Sequence, residues 1–278
     1  MKISIITVNL NNAEGLKATL ESVAMQSYKE FEHIIIDGGS SDGSVPVIKS
    51  YEESIIANRF NHKTQYPLIS WKSERDGGIY DAMNKGVKNA SGKYLYFLNS
   101  GDTLSTPFVI KEMIESLDGS DILIGRVNMS FCGKIVDKTA LLSEKDMSLY
   151  YMYLHGINHQ SAIIKRDLLV ETPYDTSIKL GADWKFFVQT IVLSGVTVKF
   201  LDFIFTNYDI SGISSNTEEV KRERDFVLNT IVPKRIACDY LAILPNYYEV
   251  VRVQWLLNHP LWYKIYRWIT SFARKINK

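Results

Sequence analysis

The run Tyr94-Leu95-Tyr96-Phe97-Leu98-Asn99-Ser100-Gly101-Asp102 decides how the chain is read. A short apolar and aromatic strand ends abruptly in a polar turn that carries one carboxylate. In an α/β sheet, side chains at strand ends can leave the core and meet ligands. An acid so placed can hold a hard divalent cation through oxygen, and the cation can hold a diphosphate. Taken alone, the tetrapeptide Asn99-Ser100-Gly101-Asp102 reads first as an Asn-Gly type turn. Its neighbours decide between the two.

Upstream, strand and helix alternate. Ile3 to Val8 is a β-branched run that reads as a central strand, and Asn9, Asn11 and Asn12 follow as turn and cap residues. Leu16, Leu20, Val23 and Ala24 then recur at helical spacing. A second strand, Phe31 to Ile36, ends at Asp37 and the loop Gly38-Gly39-Ser40-Ser41-Asp42-Gly43. A third, Leu68 to Trp71, leads to Asp76-Gly77-Gly78, and a helix follows with Ile79, Ala82, Met83, Gly86 and Val87 on one face. Lys93 to Leu98 is the strand that delivers the opening turn. This alternation is the pattern of a mostly parallel sheet covered on both faces, and its polar loops open onto one edge.

Further on, the pattern is less regular. It predicts a helix from Pro107 to about Leu117, a strand at Ile122 to Gly125 and a hairpin around Cys132-Gly133. A short strand Ala162 to Ile164 follows His159-Gln160-Ser161, and an amphipathic helix has Asp183 in its first turn. Two strands are expected at Thr197 to Leu201 and Phe203 to Tyr208. The composition shifts near residue 215, so 1–214 reads as one globular unit and 215–278 as a helical extension.

An apolar share of 46% with 23% charged residues excludes a disordered chain, and a net charge of +1 gives no general pull toward nucleic acid. Cys132 and Cys238 lie far apart and have no metal-ligand spacing. No apolar run reaches the length of a spanning helix, which points to the cytoplasm, with the inner membrane face left open. Asp37, Asp76 and Asp102 each end or follow a strand. Three acids on one sheet edge, among glycines that admit a ligand to the backbone, favour a site over three separate caps. No Gly-x-Gly-x-x-Gly follows the first strand, and P-loop, nucleophile-elbow and zinc-histidine patterns are absent.

Four motifs in order resemble the family 2 glycosyltransferases: Thr7-Val8-Asn9-Leu10-Asn11, the run Ile34 to Gly43, the run Asp76 to Gly86, and Asn99-Ser100-Gly101-Asp102. The resemblance covers roughly residues 1–214. It implies an α/β GT-A fold, Rossmann-like, with helices on both faces of a mostly parallel central sheet. It also implies transfer from a UDP- or GDP-linked sugar with inversion, as in enzymes that build bacterial surface polysaccharides. By position, Thr7, Asn9, Asp37, Asp76, Gly77, Gly78, Lys85, Ser100 and Gly101 would line the nucleotide and its diphosphate. Asp102 would hold Mg²⁺ or Mn²⁺, although Asn99 and Ser100 stand where the family often has a further acid. Asp183 would be the catalytic base, and His159 falls where related chains place acceptor or metal contacts.

The acceptor implied is a saccharide or a lipid-linked chain. From Val250 to Lys278 there are six basic residues and no acid. Leu261, Trp262, Ile265 and Trp268 fall opposite Lys264, Arg267 and Arg274 on a helix, which suits an anionic membrane interface at 246–278. Packing on the catalytic domain or in a homodimer is the competing reading of that segment. A non-catalytic nucleotide-sugar-binding or scaffolding protein is the competing reading of the whole.

Overall fold

The computed structural model describes residues 2–62, 67–131, 134–210, 217–243, 252 and 255–267. The chain forms two compact units, Met1–Arg224 and Asp225–Lys278. The division falls later than the compositional change near 215, inside a helix rather than before it.

The first unit opens with β1 (Ile3–Asn9), α1 (Ala13–Ala24), β2 (Glu32–Asp37), α2 (Ser44–His62), β3 (Leu68–Ser73), α3 (Ile79–Asn89) and β4 (Tyr94–Phe97). It continues with β5 (Thr103–Leu104), α4 (Val109–Ser116), β6 (Ile122–Phe131), β7 (Lys134–Lys138), α5 (Leu149–Leu154), β8 (Ala162–Lys165), α6 (Arg166–Glu171), α7 (Ala182–Phe187) and β9 (Val198–Asp209). The strands form one sheet in the order β3-β2-β1-β4-β8-β6-β9-β5, with β7 hydrogen-bonded to β6. β1 pairs in parallel with both β2 and β4, and β2 with β3. Because these four strands run the same way, their C-terminal ends share one edge. Beyond β4 the sheet is mixed: β8 runs antiparallel to β4 and β6, while β9 is parallel to β6.

Every residue of β1 is buried, as a strand covered on both faces requires. Ile3 and Ile5 join Val23 of α1 and Val109, Ile110 and Met113 of α4 in one core cluster. Leu16 and Leu20 of α1 pack with Ile35, Ile48, Tyr51 and Ile55 in a second. The helix α3 lies against β1 so closely that a Cβ on Gly86 would stand 2.4 Å from Ile6 Cγ2. Only glycine lets the two backbones approach to that distance.

Three expectations are revised. The stretch Ser44–His62, given no element above, is a 19-residue helix. Its contact face is the narrow strip Ile48, Tyr51 and Ile55, too thin to stand out as a helical period among polar residues. The two strands expected between Thr197 and Tyr208 are one, because the exposed Asp202 pairs with Arg126 of β6 at 2.9 Å instead of ending the strand. The amphipathic helix that begins with Asp183 changes after Phe187 to a π-helical segment, Val188–Leu193.

The helix α8 (Thr217–Ile231) crosses the division, and the second unit contains α9 (Lys234–Ile243) and a helical stretch over 260–267. There Trp255, Leu261 and Trp262 are exposed. Much of the segment read as membrane-facing, including 246–251 and 268–278, lies outside the described residues. Among the described residues no helix is long and apolar enough to cross a membrane.

Candidate active site

The C-terminal ends of β1, β2, β3 and β4 bring Asn9, Asp37, Asp76 and the Asn99–Asp102 turn to one edge. Asn9 and Asp37 are register partners, and so are Asp37 and Ser73. Asp37 is fully buried and receives five donors: Asn9 Nδ2 at 2.7 Å, Ser40 Oγ and Ser73 Oγ at 2.6 Å each, and the amides of Gly39 and Ser40. Burial pushes its carboxyl upward, but these hydrogen bonds outweigh it and hold the group ionised below the usual range. Asp37 therefore fixes the Gly38–Ser41 loop. Asp76 is half-buried, accepts from the Gly78 amide at 2.9 Å, and places Oδ2 over Gly38.

Two groups of expected donors are already engaged. Thr7 is fully buried, and its hydroxyl bonds His33 Nε2 at 3.0 Å, whose Nδ1 in turn meets the Tyr51 hydroxyl at 3.0 Å. A buried hydroxyl left unpaired costs about 1–3 kcal/mol, so Thr7 is committed to the packing of α2 on β2. The structure does not bring it to the open edge. The Gly77 amide is spent on Asp81 at 2.9 Å, and the Gly78 amide on Asp76. Lys85 lies 3.2 Å from Asp81 and 3.6 Å from Glu74, and donates to the Arg75 carbonyl. Acidic side chains have taken the N-terminus of α3, the usual preference there, so these groups are not free donors for an anion.

The Asn99–Asp102 turn is clamped by α1. Thr19 Oγ1 donates to the Asp102 carbonyl at 2.7 Å and accepts from the Gly101 amide at 3.0 Å. Asn12, the cap of α1, donates to the Ser100 carbonyl at 3.2 Å. Gly101 has φ +103°, a conformation that L side chains rarely adopt. Asp102 is 4% exposed, with Oδ1 accepting from the Asp209 amide at 3.0 Å and Oδ2 from Gln160 Nε2 at 3.1 Å. Burial raises its pKa to about 6, further than those two bonds lower it.

That imbalance tests whether a cation suits this position. The carboxylate has a deficit of compensating positive charge, and each oxygen keeps a lone pair beyond its one hydrogen bond. Oxygen donors suit Mg²⁺ or Mn²⁺. Among the described residues no cluster of three His, Cys, Asp or Glu side chains could hold a metal alone. Asp102 fits as one protein ligand of an ion whose other ligands come from diphosphate and water.

Asp183, at the start of α7, reaches the same edge. Its Oδ1 accepts from the Tyr80 hydroxyl at 2.9 Å and from the Trp184 amide at 2.8 Å. Its Oδ2 faces His159 Nδ1 at 3.0 Å, and the other ring nitrogen of His159 meets Asn99 Nδ2 at 2.9 Å. Burial raises the Asp183 carboxyl, but His159, Tyr80 and the Trp184 amide more than offset it and hold the group ionised. Both ring nitrogens of His159 are thus engaged, which leaves neither free for the metal or acceptor contact expected of it. Sequence reasoning passed over Tyr80 and Gln160. Tyr80 stands in the run Asp76–Gly86 already singled out, and Gln160 adjoins His159. A pocket of about 270 Å³ opens beside Tyr80, between the start of α3 and the loop carrying Thr176 and Lys179.

Residues 4–171 match the family described as Glycosyl transferase family 2. The chain belongs to that family. It is 31% identical over 225 residues to an uncharacterized glycosyltransferase of Mycobacterium tuberculosis, covering 78% of each chain. It is 28% identical over 222 residues to a PGL/p-HBAD biosynthesis glycosyltransferase of Mycobacterium bovis, covering 77% of this chain and 79% of the relative. The crystal structure of S. aureus TarS 1-349 in complex with UDP superposes with a TM-score of 0.60 at 20% identity, over 85% of this chain and 68% of that fragment. That likeness establishes the fold as GT-A. As a family 2 member the protein is a nucleotide-sugar-dependent glycosyltransferase.

Proposed function

We propose that the enzyme transfers a sugar from a UDP- or GDP-linked donor to a hydroxyl acceptor with inversion, at the edge formed by β1–β4. One observation carries this reading. Asp183, far beyond Asp102 in sequence, is joined through His159 to Asn99 in the turn that bears Asp102. A proton acceptor and a cation-binding carboxylate therefore belong to one hydrogen-bonded assembly. Asn9, Asp76, Ser100 and Gly101 are the nucleotide-facing residues in this reading. Asp37, Lys85 and the Gly77–Gly78 turn support them from behind.

Asp183 Oδ1 has two donors and Oδ2 only one, so the proton of the acceptor hydroxyl is taken at Oδ2. As that O–H bond breaks, the oxygen attacks the anomeric carbon. The bond from that carbon to the diphosphate oxygen breaks on the opposite face, through an oxocarbenium-like transition state. Asp102 would hold the divalent cation, which when bound neutralises charge on the departing diphosphate as a Lewis acid.

The PGL/p-HBAD relative supports a cell-envelope acceptor, and the UDP complex of TarS supports a uridine donor. A lipid-linked acceptor would also account for the basic and aromatic segment 246–278 as a membrane-docking element at the cytoplasmic face. The test begins with a thermal-shift screen of UDP-glucose, UDP-galactose, UDP-N-acetylglucosamine and GDP-mannose, each with and without Mn²⁺. The nucleotide sugar selected there serves an activity assay. Asp183→Asn should lose turnover by at least about 100-fold while keeping donor binding. An Asp183→Asn protein with full activity, or a product that retains the anomeric configuration, would overturn the mechanism.

A further inference from the structure

His159 and Gln160 are neighbours in one 3₁₀ turn, His159–Ser161, that leads directly into β8. Each holds one of the two carboxylates on which the proposed mechanism depends. His159 Nδ1 lies 3.0 Å from Asp183 Oδ2, and Gln160 Nε2 lies 3.1 Å from Asp102 Oδ2. We propose that this dipeptide is the positioning element of the active site, with His159 orienting the proton acceptor and Gln160 holding the cation-binding carboxylate. This inference rests on the roles assigned above to Asp183 and Asp102.

Hydrogen-bond chemistry fixes the direction of each contact. Asn99 presents its NH₂ to His159 Nε2, which must then carry a lone pair, so the imidazole proton sits on Nδ1 and points at Asp183. That orientation leaves the buried Asn99 Oδ1 without a partner, which is less costly than a buried unpaired N–H. Asn99 thus selects the tautomer, and His159 donates to the base. The arrangement has the logic of a carboxylate–imidazole pair with the roles exchanged, since here the imidazole orients the carboxylate.

Gln160 is as strongly constrained. It is 4% exposed, and its backbone carbonyl accepts from the Tyr96 hydroxyl at 2.8 Å. Tyr96 belongs to β4, the strand that delivers the Asn99–Asp102 turn, and is fully buried. The 3₁₀ turn is therefore anchored to the sheet, and its two side chains project to carboxylates from different parts of the chain. On the other side of Asp183, Tyr80 donates to Oδ1, so the carboxylate is held at both oxygens. A base held this way avoids the misplacement that costs about 100-fold in rate for about 1 Å of error.

The test separates the two residues by readout. In asparagine, Nδ2 stands near the place of imidazole Nδ1, so His159→Asn keeps a donor toward Asp183. His159→Gln reaches instead toward Asn99 and loses the contact with Asp183. Turnover is followed as hydrolysis of the nucleotide sugar selected in the thermal-shift screen, with water as acceptor. His159→Ala and His159→Gln should lower kcat by about 10- to 100-fold with donor KM within about threefold, and His159→Asn should recover most of it. Binding of Mn²⁺ in the presence of UDP, measured by calorimetry, should be unchanged in all three. Gln160→Ala should weaken that Mn²⁺ binding by about tenfold, and Gln160→Glu should not mimic Gln160→Ala, since an added acid strengthens cation binding.

Equal losses in His159→Asn and His159→Gln would reduce His159 to a packing residue and overturn its half of the proposal. Unchanged Mn²⁺ binding in Gln160→Ala would overturn the other. Asp183→Asn is measured in parallel. If it stays active, the base assignment fails; if it is inactive while His159→Ala and His159→Gln turn over at the wild-type rate, the positioning proposal fails. Circular dichroism and melting temperature establish that each variant folds, and the Asn/Gln comparison stands even where alanine does not.

Discussion

Replacing Asp102 by asparagine should make the metal-free protein more stable while abolishing sugar transfer. The carboxyl is 4% exposed, has one donor on each oxygen, and has its pKa raised by burial from an ordinary value near 3.8 to about 6. At about 1.36 kcal/mol for each tenfold change in proton affinity, ionising it inside the fold costs about 3 kcal/mol. Below about pH 4 the group is protonated in both the folded and unfolded chains and contributes nothing. Between about 4 and 6 the unfolded chain releases the proton and the folded one retains it, so stability falls as pH rises. Above about 6 the whole penalty is present. Asparagine carries no charge, keeps an oxygen for the Asp209 amide, and lets the Gln160 amide turn over to meet its NH₂.

The assay is thermal unfolding in EDTA at pH 4.5 and pH 8. At pH 8 the Asp102→Asn variant should melt roughly 6 °C or more above the wild type, at about 2 °C per kcal/mol for a chain of this size, and the gap should shrink as pH falls. Adding Mn²⁺ with UDP should raise the melting temperature of the wild type alone. If the two proteins melt together at pH 8, the carboxylate has no charge deficit, and the argument that its surroundings await a cation fails.

Three further outcomes follow from the same geometry. Gly101→Ala places a Cβ on a residue at φ +103° and should cost about 1–3 kcal/mol in unfolding free energy, with weaker Mn²⁺-dependent donor binding; an unchanged denaturation midpoint would refute the strain. Thr7→Val strands His33 Nε2 in the core and should destabilise by about 1–3 kcal/mol while kcat and KM stay as they are, whereas a raised donor KM at unchanged stability would return Thr7 to the nucleotide site. The full chain should co-sediment with vesicles containing phosphatidylglycerol and be released by salt; failure to sediment at low ionic strength would favour packing or dimerisation of residues 246–278.

Much of the fold could be read from the sequence because β1, β2 and β4 are almost wholly buried and the first four strands end in loops of unambiguous chemistry. Ile3–Asn9 is buried throughout, so a β-branched run marks it without any need for alternation. Asp37, Asp76 and Asn99–Asp102 follow their strands directly, so parallel order alone places them together. What could not be read was the use of side chains already engaged elsewhere. Thr7 sits one turn of the pleat from Asn9, yet its partner is His33, whose presence in an apolar strand was the available signal. Gly77 and Gly78 offer amides at a helix start, but Asp81 and Asp76 lie close enough in sequence to take them first.

The link from Asp183 to the opening turn is of another kind. Asn99 departs from an acidic motif, and by sequence that departure reads as a lost metal ligand. In the folded chain its amide does something an acid could not. It donates to His159 Nε2, fixes the imidazole proton on Nδ1, and so directs a donor at Asp183. A carboxylate at position 99 has no N–H to give and could only accept from Nε2, so it could not leave Nδ1 as the ring's one donor as Asn99 does. The replacement of an acid by Asn99 therefore removes a candidate metal ligand and, by the same change, supplies the donor that directs the His159 hydrogen bond at Asp183, which ties the reduced metal motif to the chemistry proposed for Asp183.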